Sequence, residues 1–172
     1  MTTITRRIAT AEDMRACGRA LGEQLVAGDL VMLSGPLGAG KTTLTQGLGE
    51  GMGVAGTVAS PTFIVARVHP SQSDGAGLVH VDAYRLTSSE DLETLDLDTA
   101  LREHAVVVEW GEGLVESLSP TRVEIAIERA SGVTITTSDG AVDLAGLDEG
   151  ERTVTAHAVG ERAEAIVAAL AE

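Results

Sequence analysis

The sequence predicts an α/β fold of three layers, with a mostly parallel central sheet and an antiparallel β-extension at its C-terminal side. Three observations predict it. Short apolar runs at 30–33, 78–82 and 105–109 have the length and continuity of strands buried on both faces. The segments around them carry apolar residues at helical spacing. From Arg122 the pattern changes to alternation, with Val123, Ile125 and Ile127 between Glu124, Ala126 and Glu128, as a half-exposed strand requires. At 172 residues the chain suffices for a two- or three-layer core, read as one domain over 1–172, with its core at about 8–129 and the extension at about 130–172.

Taken in order, residues 11–27 read as a helix, with Met14, Cys17, Leu21 and Leu25 on one face and Glu12 and Asp13 near its positive end. A strand at 30–33 runs into a glycine loop, and Leu44, Leu48 and Met52 mark the helix that follows. A strand at 63–68, an exposed polar loop at 69–77 and a strand at 78–82 come next. A helix over 88–97 is followed by a strand over 105–109. Beyond it the pattern predicts the strand at 122–128, a hairpin over 133–144 turning at Asp139-Gly140, a strand at 153–159 and a closing helix at 163–171.

The glycine loop carries the chemistry. Gly35-Pro36-Leu37-Gly38-Ala39-Gly40-Lys41-Thr42 matches G-x-x-x-x-G-K-[ST], the phosphate-binding loop (Walker A), and makes the fold a P-loop NTPase type. Lys41 is the only lysine; the other eleven basic residues are arginines. A surface lysine exchanges readily with arginine, whereas a lysine between phosphates must be a compact point charge. Strand, loop, helix is the order that points backbone N–H groups and a positive helix end at an anion. Gly35, Gly38, Ala39, Gly40, Lys41, Thr42 and Thr43 are therefore the expected nucleotide contacts, with the Thr42 hydroxyl placed for Mg²⁺.

A carboxylate at the end of a neighbouring strand is also needed, to hold the metal shell or place the attacking water. Asp82 and Glu109 each end an apolar run and are both candidates, for catalysis and for metal. The only Phe, Tyr and Trp (Phe63, Tyr84, Trp110) lie beside these polar positions, which suggests that their segments converge on one pocket. Ser60 and Thr62 flank Pro61 and are expected to offer hydroxyls as a nucleotide-sensing loop. Arg85 is a candidate transition-state charge or a surface ion-pair partner. His69, His80, His104 and His157 show no metal spacing and read as structural. The D-x-x-G matches at 74–77 and 143–146 follow no strand in the required order, and no N-K-x-D is present, so a GTPase reading is poor.

Composition narrows the rest. A formal charge of −14 opposes extended contact with a nucleic-acid backbone, so any tRNA role would run through partners. No segment reaches the roughly 18 apolar residues of a membrane span, and the first residues lack a signal peptide's apolar stretch. One cysteine, Cys17, rules out an intrachain disulfide and a cysteine metal cluster. The economical expectation is a cytoplasmic protein.

The loop motif, Ser60-Pro61-Thr62-Phe63, His80-Val81-Asp82-Ala83-Tyr84-Arg85-Leu86 and Val108-Glu109-Trp110 together resemble the TsaE (YjeE) family over about residues 8–129. Members are bacterial ATPases of tRNA threonylcarbamoyladenosine synthesis. The resemblance implies ATP and Mg²⁺ as cofactors, Lys41 on the phosphates, Thr42 and Glu109 on the metal, and Asp82 as a further catalytic or metal-shell acid. It implies a switch-like stretch over 60–63 and, as partners, a TsaD–TsaB pair that ATP hydrolysis resets between turnovers. The chain departs from the family at Pro36, where an acid is usual, and matches less well from about 130. Two other readings fit the residues: a metabolite kinase on the same fold, for which an arginine-bearing lid is thin with only Arg67 and Arg85 in reach, and an assembly module that responds to nucleotide with incidental hydrolysis.

Overall fold

The computed structural model describes residues 2–59, 65–86, 88–129 and 150–171. Strand β1 spans Thr3–Ile8. Thr10 then starts α1 (Ala11–Gly22): its hydroxyl accepts from Asp13 N at 3.0 Å while the Asp13 carboxylate accepts from Thr10 N at 3.1 Å. This reciprocal pairing satisfies two amides that a helix start otherwise leaves open. β2 (Leu30–Ser34), α2 (Lys41–Met52), β3 (Ala66–His69) and β4 (Gly77–Asp82) follow. Then come α3 (Ser89–Glu93), α4 (Leu97–Glu103), β5 (His104–Glu109), β6 (Arg122–Arg129), β7 (Arg152–Val159) and α5 (Glu161–Ala168).

The strands form one sheet in the order β1-β7-β6-β2-β5-β4-β3. Its centre, β6-β2-β5-β4, is parallel. β3 closes one edge antiparallel to β4, and β7 and β1 add antiparallel ladders at the other. Side chains alternate across β2, so Val31 and Leu33 join a core with Leu21, Leu44, Leu48 and Ile166, under α1, α2 and α5. Leu30 and Met32 join a second core with Leu92, Leu97, Leu101 and Val108, under α3 and α4. Burial on both faces is why these strands read as continuous apolar runs.

The helix that carries Lys41 is seated by α1 at a contact too close for side chains. A Cβ added at Gly47 would lie 2.1 Å from Arg15 O, and one at Gly18 would lie 2.2 Å from Leu44 O. Outside this seam Arg19 bridges Glu50 at 2.9 Å and Glu12 at 2.8 Å. Cys17 packs beside the seam with a free thiol; burial raises its pKa to about 11, against a small lowering by Arg6.

Several expectations change. β1 was not anticipated: Thr3–Ile8 has only two apolar residues, too few for an apolar run, and it holds its place by pairing with β7. The helix expected over 11–27 ends at Gly22, although Leu25 stays buried and so continues the helical spacing. The helix expected over 88–97 ends at Glu93, and a further helix that was not anticipated, α4, begins after Asp96, whose φ of 48° no helix interior allows. β6, read from its alternation as a half-exposed strand, pairs parallel with β2 inside the central sheet. Its polar residues face the side where α3 and α4 do not reach, which explains the alternation. β3 spans Ala66–His69, and the start of the strand expected from 63 lies outside the described residues. The hairpin over 133–144 lies outside the described residues.

Gly47→Ala should destabilise the protein by roughly 1–3 kcal/mol or more through forced separation of α1 and α2. Gly75→Ala, whose Cβ would meet nothing nearer than Ser73 Oγ at 3.5 Å, should change stability by no more than about 0.5 kcal/mol. Denaturant unfolding of both variants measures the contrast.

Candidate functional site

β2 ends at Ser34, and residues 35–40 turn the chain into α2. Gly35, Gly38 and Gly40 have φ of 141°, 71° and 112°, values that disfavour any residue with a Cβ. No side chain caps α2. The N–H groups of its first turn, those of Lys41, Thr42 and Thr43, therefore face the loop opening with the positive end of the helix dipole behind them.

Two arginines hold the loop from outside. They are register partners across β6 and β7: Arg129 donates to Gly38 O at 2.6 Å and Arg152 donates to Ala39 O at 3.1 Å. A trans peptide sets its C=O and N–H on opposite sides, so Arg152 on Ala39 O turns the Gly40 N–H away from itself. Ala39 is fully buried and its own N–H donates to Pro36 O at 3.1 Å. Proline thus serves the loop through its carbonyl, the group it retains.

Lys41 is only 5% exposed. Its ammonium donates to Gly35 O at 2.7 Å and Pro36 O at 3.1 Å, and lies 4.1 Å from the centre of the Trp110 ring. Burial lowers its pKa, opposed by the charges of Glu109, Asp82 and Glu112. Trp110 reaches this position with φ of 61°, a conformation that costs a non-glycine residue on the order of 1 kcal/mol. Its N–H, bonded to Leu33 O at 3.0 Å, pins the turn. Tyr84 meets the ring edge-on, with centroids 5.4 Å apart and planes at 61°.

Asp82 and Glu109 are register partners at the ends of β4 and β5. Glu109 is 4% exposed; its Oε1 lies 3.5 Å from Thr42 Oγ1 and 2.8 Å from His80 Nε2. The first distance exceeds the roughly 2.5–3.0 Å of a good O–H···O bond. A hydroxyl and a carboxylate so spaced form an oxygen donor pair for a hard cation. Among the described residues no group of three or more His, Cys, Asp or Glu could hold a metal. Asp82 is committed differently: its Oδ1 accepts from Tyr84 N at 3.0 Å and starts the 83–85 turn, so it acts on Lys41 through space.

The structure therefore gathers Gly35, Gly38, Ala39, Gly40, Lys41, Thr42, Thr43, Asp82 and Glu109 at the C-terminal ends of β2, β4 and β5. Of the three aromatics, Tyr84 and Trp110 meet as expected. Ser60, Pro61, Thr62 and Phe63 lie outside the described residues. Sequence reasoning missed Glu112, Arg129 and Arg152, which join the site only through register and turning of the chain. It also left His80 as structural, although its place two residues before Asp82 puts both on one face of β4.

The model of the family described as "Threonylcarbamoyl adenosine biosynthesis protein TsaE" matches residues 8–135. The chain belongs to the TsaE family. A Streptomyces coelicolor protein named "tRNA threonylcarbamoyladenosine biosynthesis protein TsaE" is 62% identical over 122 residues, covering 70% of this chain and 82% of its own. The Mycobacterium tuberculosis protein of that name is 48% identical over 134 residues, with 74% and 80% covered. A crystal structure of YdiB from Bacillus subtilis superposes with a TM-score of 0.71 at 28% identity, over 99% of this chain and 95% of that one. These likenesses give this TsaE-family chain a role in threonylcarbamoyladenosine biosynthesis, and the site's geometry supplies the parts from which that role is to be explained.

Trp110 is the only tryptophan, so its emission reports the lysine beneath it. Lys41→Met should shift the intensity of tryptophan emission without any ligand, because an ammonium no longer sits against the ring. Unchanged emission from the folded variant would separate ring and lysine.

Proposed function

We propose that this chain is an Mg²⁺-dependent ATPase of threonylcarbamoyladenosine biosynthesis, acting in the cytoplasm through a TsaD–TsaB-like pair and meeting tRNA only through those partners. The observation that carries the reading is the buried Lys41 ammonium in a glycine loop at an uncapped helix start, beside the Thr42–Glu109 oxygen pair. Supporting the indirect route to tRNA, the net charge of −14 repels a phosphate backbone. Among the described residues no helix is long and apolar enough to cross a membrane.

In this reading the loop amides and Lys41 bind the phosphates of ATP, and Lys41 exchanges its carbonyl contacts for phosphate oxygens. Thr42 and Glu109 would hold Mg²⁺, with Asp82 near its shell. When bound, the metal supplies charge neutralisation at the β- and γ-phosphoryl oxygens. Asp82, whose Oδ1 accepts from the Tyr84 N–H, would orient an attacking water or join the metal's shell, and Thr62 is proposed to add a hydroxyl to the γ-phosphate. Trp110, which lies against the ammonium, shields the lysine side from water, which strengthens the charge interactions there. Hydrolysis then yields ADP and phosphate, and the change of ligand resets the partner pair for another round.

Phosphate release from Mg-ATP by the purified protein, alone and with TsaD–TsaB from one organism, tests this directly. Slow release alone that changes several-fold with the pair, and that falls at least tenfold (about 1.4 kcal/mol) in Lys41→Ala, is the expected result. Release untouched by both the pair and the substitution would overturn it.

A further inference from the structure

We propose that His80 is a positioning residue for Glu109, fixing by one neutral hydrogen bond the carboxylate that meets the cation. The inference rests on the reading of Glu109 as a metal-facing acid and adds a residue to it.

The geometry is that of a buried pair. His80 is fully buried in β4 and Glu109 is 4% exposed. His80 is the register partner of Val107, and Glu109 that of Asp82, so the two residues are diagonal neighbours on the face of the sheet that also carries Leu78 and Ala105. Nε2 lies 2.8 Å from Glu109 Oε1. Nδ1 is buried with no hydrogen-bond partner among the described residues. A proton on Nδ1 would be shut away unpaired, at a cost of about 1–3 kcal/mol. The arrangement therefore selects the tautomer with its proton on Nε2, donated to the carboxylate.

That choice has a consequence for the cation. A permanently charged arginine or lysine partner would offset the charge of Glu109. A neutral N–H orients the carboxylate and leaves its full charge to attract a metal. His80 and Thr42 both approach Oε1, so the imidazole holds the carboxylate beside the hydroxyl with which it would share the cation. Such supporting hydrogen bonds commonly contribute about 10- to 100-fold to metal affinity.

The test has two parts. Nitrogen-15 NMR of the free protein at neutral pH reads the tautomer: the expected spectrum assigns the His80 proton to Nε2 with a bare Nδ1, and the reverse assignment overturns the proposal. Calorimetry then measures ATP affinity of wild type, His80→Gln and His80→Leu, each with Mg²⁺ and with a chelator. His80→Leu should lose about 10- to 100-fold of the magnesium-linked gain, while its chelator-measured affinity stays within about twofold. His80→Gln, which retains an N–H donor of similar reach, should recover most of that gain. Equal loss in both variants, or an unchanged gain in a folded His80→Leu, overturns the positioning role. A wild type without any magnesium-linked gain fails the metal reading of Glu109 itself, an outcome distinct from a failure confined to His80.

Discussion

Lys41 holds a positive charge at 5% exposure, and the surrounding structure is arranged to make that tolerable. A charge withdrawn from water needs partners, or it shifts toward its neutral form. Here the partners are weak or distant: two loop carbonyls, the face of one ring, and three carboxylates acting through space. Burial pushes the ammonium's pKa down, against the pull of the Glu109, Asp82 and Glu112 charges. An anion between Lys41 and the start of α2 would complete the set of partners. The backbone around the ammonium sets three glycines at positive φ and leaves the first amides of α2 without a side-chain cap.

That loop is held by elements far apart in sequence. α2 sits on α1 without intervening side chains, so the lysine's helix is fixed by backbone contact and cannot drift without opening the seam at Gly18 and Gly47. From the other side, Arg129 and Arg152 hold the carbonyls of Gly38 and Ala39. These arginines end β6 and begin β7, which gives the C-terminal part of the sheet a direct mechanical connection to the phosphate loop. The loop takes its conformation from three sources: glycine torsions, the α1 seam and the arginine pair.

Much of this was legible in the sequence because it is written in local patterns. A glycine spacing implies a loop, an apolar run implies a buried strand, and a carboxylate ending that run implies a site. Glu109 and Asp82 were found in this way, and both lie where that logic places them. What was not legible depends on register or on turning of the chain. β1 is too polar to read as a strand and is defined by its partner β7. Asp96 takes a left-handed torsion, so the expected helix stops short of it and a new one starts after it. His80 sits on an ordinary apolar run, and only the parallel pairing of β4 with β5 brings its imidazole to Glu109. The Arg129–Arg152 pair spans more than twenty residues of chain and meets the loop only after β6 joins the central sheet.

The most direct test of the account is the thermal stability of the purified protein with ATP and Mg²⁺, compared with ATP and a chelator. Ligand binding to the native state alone should stabilise it by about 2.7 kcal/mol at a hundredfold excess over the dissociation constant. For a chain of this size that corresponds to roughly 5–10 °C. The account predicts a rise that grows with ATP concentration and shrinks when Mg²⁺ is removed. A midpoint unmoved by millimolar Mg-ATP would contradict it, because the buried lysine and its loop would then serve the fold and not a nucleotide.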